Sequence, residues 1–254
     1  MPEITRVPPN GTPTWVDLGT PDHRRAMAFY AAVFGWEFEE GPAETGYYTL
    51  CLLRGEPVAA LAPNPDPDAT AFWWNLYFAT DDCDAAVERV TSSGGTVAVP
   101  PEDVMDQGRL AIVLDPTGAQ FGLWQGKAHI GARIVDEPGS IVWSELATAR
   151  ADAAREFYTA VFDFTLEPMS GFDYTVLRRP DGHPIGGIQG EPSAAATYWS
   201  TYFEVEDTDA ALARVTEAGG TVVLTAKDTP FGRIAVARDP FGADFTLIRS
   251  ADRP

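Results

Sequence analysis

Histidine and cysteine are scarce in this chain of 254 residues, with three of the first and two of the second. Cys51 and Cys83 have no metal-ligand spacing and are too few for a disulfide framework, which fits a reducing compartment. Long apolar runs are missing too, and none approaches the ~20 residues of a membrane span. The opening residues, Met1-Pro2-Glu3-Ile4-Thr5-Arg6, lack the basic and apolar regions of a secretory leader, so a cytoplasmic protein is expected. Positive charge is short as well. Lys and Arg number 18 against 37 Asp and Glu, a formal net charge of −19. That argues against nucleic acid or an anionic membrane as partner, because both need a basic surface, and it favours cationic over anionic small molecules.

What the chain has is a repeat. Trp15-Val16-Asp17-Leu18 followed by Phe29-Tyr30-Ala31-Ala32-Val33-Phe34 returns as Trp143-Ser144-Glu145-Leu146 followed by Phe157-Tyr158-Thr159-Ala160-Val161-Phe162. The offset is 128 residues at both places (143 − 15 and 157 − 29). Asp84-Ala85-Ala86-Val87-Glu88-Arg89-Val90-Thr91 returns as Asp209-Ala210-Ala211-Leu212-Ala213-Arg214-Val215-Thr216, and Asp115-Pro116 with Gly118-Ala119 returns as Asp239-Pro240 with Gly242-Ala243. Such order over both halves requires duplication. The expected organisation is a first domain over 12–126, a linker over 127–139 and a second domain over 140–250, forming a monomer or a homodimer.

Each copy reads as two β-α-β-β-β units, an α+β design. Trp15–Leu18 alternates as a strand. Asp22 is placed to cap a helix whose Ala26, Phe29, Tyr30 and Val33 share one stripe, and Gly35 is placed to end it. Strands follow over Tyr47–Leu53 and Val58–Ala62, then Pro63, Pro65 and Pro67 as a stiff connection. The second unit has a strand at Trp73–Ala79, a helix over Cys83–Ser92 ending at Gly94-Gly95, and strands near Thr96–Val99, Arg109–Leu114 and Gln120–Trp124.

A first strand, Phe-Tyr in the next helix, Phe-Gly-Trp after it and a late Asp-Pro-x-Gly turn resemble the vicinal oxygen chelate superfamily. That group includes glyoxalases, extradiol dioxygenases and bleomycin- and fosfomycin-resistance proteins. The tandem form is similar to actinobacterial proteins labelled glyoxalase-like or hydroxylase. The resemblance implies a curved mixed sheet around a cleft in each copy, with a metal held by His, Gln or Glu at four strand positions. In this sequence those positions fall at Trp15, Ala60, Asn75 and Gly122, and at Trp143, Gly187, Ser200 and Thr246. Such residues do not make a metal donor set, since zinc, iron or nickel needs imidazole, thiolate or carboxylate. His23, His129 and His183 are expected at the surface or in loops. Neither a metal nor another cofactor is expected, and no flavin or haem motif is present.

Alternation then sorts the strand faces. Val16, Leu18, Trp74, Leu76, Phe78, Leu110, Ile112, Leu114, Phe121 and Leu123 are expected in the core. Trp15, Asp17, Trp73, Asn75, Tyr77, Arg109, Ala111, Gly122 and Trp124 are left to line the first cleft. The second takes Trp143, Glu145, Tyr198, Ser200, Tyr202, Arg233 and Thr246. Small residues at Ala60, Gly122 and Gly187 are expected to leave space for a flat molecule stacking on indole rings. Asp17 and Glu145 are candidate general bases, or the acidic halves of ion pairs with Arg109 and Arg233, and Tyr77 and Tyr202 are candidate proton donors. Three functions remain open: a metal-free binder of an aromatic molecule, a metal-independent enzyme on an aromatic or polyketide-like metabolite, and a scaffold with vestigial clefts.

Overall fold

The computed structural model describes residues 3–64, 66, 68–194 and 196–251. Pro65 and Pro67 of the expected stiff connection lie outside the described residues. The first copy runs β1 (Pro13–Thr20), α1 (His23–Phe34), β2 (Glu37–Glu40), β3 (Thr49–Leu53), β4 (Glu56–Pro63), β5 (Trp74–Ala79), α2 (Cys83–Ser92), β6 (Thr96–Val104), β7 (Gly108–Leu114) and β8 (Gln120–Gly126). The second runs β9 (Ile141–Thr148), α3 (Ala151–Phe162), β10 (Thr165–Pro168), β11 (Tyr174–Arg178), β12 (Pro184–Gly190), β13 (Tyr198–Glu204), α4 (Thr208–Glu217), β14 (Thr221–Thr229), β15 (Gly232–Arg238) and β16 (Asp244–Ser250). The α+β class with two β-α-β-β-β units per copy is as read.

Each copy builds one eight-stranded mixed sheet, in the order β2-β3-β4-β1-β5-β8-β7-β6 and its counterpart β10-β11-β12-β9-β13-β16-β15-β14. The two units of a copy meet where β1 and β5 pair antiparallel, with Asp17 opposite Asn75 and Trp15 opposite Tyr77. Three of the four helices open on an aspartate: the side chains of Asp22, Asp82 and Asp207 accept from backbone N–H groups three residues on, satisfying donors the first turn leaves free. Gly35 closes α1 in the left-handed conformation, at φ 74°.

The repeated motifs explain how the copies join. All four helices lie in one hydrophobic core that takes residues from both copies. Helix α1 lies on its own sheet and also reaches the second, with Phe34 4.9 Å from Phe203, and α3 lies on its own and reaches the first, with Phe162 5.2 Å from Phe78. Gly95 and Gly220 permit this approach: a Cβ on either would stand 3.0 Å from the Phe157 ring or 2.8 Å from the Phe29 ring. The Asp-Pro-x-Gly turns bind across the same boundary. Asp115 Oδ1 accepts the N–H groups of Thr117, Gly118 and Ala119, while Oδ2 accepts the Tyr158 hydroxyl at 3.1 Å. Asp239 takes the Tyr30 hydroxyl at 3.2 Å in the mirrored contact. Arg89 and Arg214 complete the exchange, donating to the carbonyls of Val161 and Val33 at the last turns of α3 and α1.

Strand β7 departs from the expected faces. Ala111 and Val113 are fully buried in the core, and Leu110 and Ile112 lie on the opposite face against the first cleft. Both faces of this strand are covered, so every residue from Leu110 to Leu114 is apolar and a period of two carries no information. Pairing decides it instead, because Leu110 and Ile112 stand opposite Trp124 and Gly122 of β8.

Candidate functional site

The face of each sheet away from the helices carries an aromatic cleft with one carboxylate. In β1, Val16 and Leu18 enter the core, which turns Trp15 and Asp17 to the other side. Asp17 Oδ2 accepts the hydroxyls of Tyr48 and Tyr77, each at 3.0 Å, and Oδ1 accepts Asn75 Nδ2 at 2.9 Å. Trp15 Nε1 donates to Tyr48 Oη at 2.7 Å, while Trp73 Nε1 and Gln120 Nε2 both donate to Asn75 Oδ1. The second cleft repeats the plan. Trp143 Nε1 donates to Tyr174 Oη at 2.9 Å, Glu145 accepts from Tyr202 and Tyr174, and Ser200 stands opposite Glu145 where Asn75 faces Asp17.

Burial is the main influence on both carboxylates. It pushes Asp17 above the ordinary aspartate range, opposed by the hydrogen bonds from Asn75, Tyr77 and Tyr48. It pushes Glu145 up in the same way, against hydrogen bonds from Tyr202 and Tyr174. The four tyrosines are raised by burial and then by the carboxylate beside them, so they remain hydrogen-bond donors at neutral pH.

The structure brings Asp17 together with Trp15, Asn75 and Tyr77, and Glu145 together with Trp143, Ser200 and Tyr202. Trp124 walls the first cleft, its Nε1 donating to the His129 carbonyl. Thr246 is buried opposite Tyr202, and Trp73 and Tyr198 stand about half exposed. Arg109 and Arg233 do not belong to the clefts. Arg109 shares the helix-side face of β7 and grips Asp84 at 2.8 and 3.0 Å, with Asp103 at 3.6 Å. Arg233 holds Asp209 and Asp228. The expected Asp17–Arg109 and Glu145–Arg233 ion pairs are therefore replaced by surface pairs that tie helix to strand.

Two further expectations are corrected. Ala60, Gly122 and Gly187 do not leave empty space. A Cβ on Gly122 would fall 2.0 Å from the Tyr77 ring, and one on Gly187 would fall 2.1 Å from the Tyr174 hydroxyl, so tyrosines already cover these glycines. His23 is not an exposed residue before the helix but the first residue of α1, with a buried Nε2. Tyr48 and Tyr174 were not expected in the clefts. The repeated Tyr-Thr pairs Tyr48-Thr49 and Tyr174-Thr175 mark them, each at the start of the third strand of its copy. A dimple of about 180 Å³ opens near Arg150, Asp173 and Glu191, beyond the end of β9 and without the aromatic wall.

Metal ligation finds no donor set at the four positions of either copy, where Trp, Ala, Asn, Ser, Thr and Gly stand. Asp17 is already held by three donors. Among the described residues, no group of three or more His, Cys, Asp or Glu is placed to hold a metal ion. The residues present do not fit a metal centre.

With this geometry in view, the comparisons agree on the class. Residues 12–123 and 140–247 each match the model of the Glyoxalase/Bleomycin resistance protein/Dioxygenase superfamily, and the chain belongs to that superfamily. Over 249 residues it is 42% identical to CFP32 of Mycobacterium tuberculosis, provisionally named a glyoxylase, covering 95% of each chain. It is 37% identical over 264 residues to DnrV of Streptomyces peucetius, an anthracycline biosynthesis protein, covering 96% of this chain and 95% of that one. In fold it is similar to the Mn(II)-bound glyoxalase from Novosphingobium aromaticivorans, with a TM-score of 0.66 at 19% identity over 96% of this chain and 84% of that one. A catechol 2,3-dioxygenase gives a TM-score of 0.63 at 13% identity, covering 97% of this chain and 91% of that one.

Proposed function

We propose that the protein binds a planar, hydroxylated aromatic metabolite in the cleft of the second copy, without a metal ion. The observation that carries this reading is Glu145, a carboxylate held by two tyrosines at the foot of a part-exposed aromatic wall. Trp143 supplies a face for stacking, and Phe172 and Tyr198, both about half exposed, extend the apolar surface at the rim. Glu145 accepts a phenolic hydroxyl, and on binding Tyr202 or Tyr174 turns its hydroxyl from Glu145 to a ring carbonyl. The similarity to an anthracycline biosynthesis protein supports a fused-ring ligand of polyketide type. The net charge of −19 favours a neutral or cationic ligand over an anionic one.

Calorimetric titration with 1,8-dihydroxyanthraquinone tests the reading. Binding should quench indole fluorescence, and Trp143→Ala should weaken affinity by about 1–3 kcal/mol, or about 5- to 150-fold. Absence of binding, or equal affinity in the variant, contradicts it.

The raised Glu145 carboxyl favours one further reading, a metal-independent enzyme. Burial brings this carboxylate toward the pKa of a working general base, with Tyr202 beside it as hydrogen-bond donor. Anthrone, which has an acidic ring methylene, separates the two readings. A catalyst should exchange that methylene for deuterium from D2O, and Glu145→Gln should slow exchange by about 10²–10⁴-fold while binding persists. A simple binder gives no exchange above the buffer rate.

A further inference from the structure

The two clefts share a plan but not a state of access. Trp15 is 3% exposed and Tyr77 8%, whereas Trp143, Tyr174 and Tyr202 all keep part of their surface open. The difference comes from residues 127–135, which leave β8 and cross the first cleft before β9 begins. Their backbone is fixed along the whole crossing. Lys127 and His129 donate to the Gln107 carbonyl, Ala132 donates to Thr14 at 2.8 Å, and Arg133 donates to Pro57 at 2.8 Å. Thr14 Oγ1 in turn donates to the Ile130 carbonyl at 3.1 Å. From this arm His129, Ala132 and Val135 point inward, three residues apart. Ala132 joins the apolar cluster of Trp15, Ala60, Tyr77 and Trp124, and Val135 packs beside it.

His129 makes the decisive contact. Its ring centroid lies 4.4 Å from that of Trp15, edge to face, and 5.6 Å from that of Trp124. Its Nε2 is buried, with no hydrogen-bond partner among the described residues. A polar ring atom left without a partner between two indoles is a poor device for stability alone. In the second copy Ile248 replaces Trp124, on the offset of the Gly118-Ala119 and Gly242-Ala243 pairs. Among the described residues no ring packs against Trp143 as His129 does against Trp15.

We propose that the interdomain arm is a built-in occupant of the first cleft, with His129 seated where a ligand ring sits in the second. The protein then holds one ligand per chain, and the first cleft is a latent aromatic site. The count of ligands rests on the binding function proposed above; the sealing does not.

Two measurements test this on the full chain. Titration with 1,8-dihydroxyanthraquinone should give one site per chain in the unaltered protein and two in His129→Ala. Thermal unfolding with millimolar imidazole should raise the midpoint of His129→Ala by about 2–4 °C, as the free ring refills the vacated space, and leave the unaltered protein unchanged. His129→Phe should behave as sealed in both tests, and His129→Asn serves if the alanine variant does not fold. Two sites in the unaltered protein, or a single site in His129→Ala with no imidazole effect, overturns the proposal. If the quinone binds no variant, the binding function fails and the imidazole response alone decides the sealing.

Discussion

Tyr158 shows how a residue that reads as a family marker acts physically. Its hydroxyl donates to Asp115 Oδ2 of the other copy and accepts from Trp199 Nε1 at 2.8 Å, all in the buried core. Tyr158→Phe removes one atom and leaves a carboxylate oxygen and an indole N–H without partners. Unsatisfied buried groups cost about 1–3 kcal/mol each, so the variant should lose about 2–4 kcal/mol in urea denaturation. A loss under about 0.5 kcal/mol would show that the Tyr–Asp contact does not join the copies. Asp17 and Glu145 teach the complementary lesson. Their position on the sheet is legible from Trp-x-Asp and Trp-x-Glu alternation, and so are Tyr77 and Tyr202 on the facing strands. Tyr48 and Tyr174 are not, since they arrive with strands two places away in each sheet, and the two arginines that charge would pair with the carboxylates face the other way.

At the scale of elements, strands with one wet face could be read and strands with two covered faces could not. Strand β1 alternates polar with apolar residues, so its cleft face is plain. Strand β7 is apolar from Leu110 to Leu114, and only its pairing with β8 shows that Leu110 and Ile112 belong to the cleft. The helices were readable because stripe and cap agree: Asp22, the run Ala26, Phe29, Tyr30 and Val33, and Gly35 all mark α1. Which surface that stripe covers was not readable. Amphipathic spacing says that a face is buried, not that it is shared between its own sheet and the other copy's. The arm over 127–135 was missed for a related reason. Nothing periodic marks it, and its inward residues act through backbone hydrogen bonds to Thr14, Pro57 and Gln107.

For the whole molecule, duplication has produced two sheets that enclose one shared core and turn their aromatic faces away from it. Each copy supplies part of the packing surface for the other's helices, so the Phe-Tyr and Asp-Pro motifs are held in both copies by architecture. The clefts stand outside that constraint, and they differ: the first is sealed on His129, the second is part-open around Trp143 and Glu145. The central claim is that the second cleft binds a hydroxylated aromatic ring system without a metal. A crystal structure of the full chain grown with 1,8-dihydroxyanthraquinone tests it most directly. The account predicts one planar molecule per chain on the Trp143 face, a hydroxyl against Glu145, no metal between ligand and protein, and His129 still seated on Trp15. A molecule held through a metal ion, or bound at the first cleft with the second empty, would contradict it.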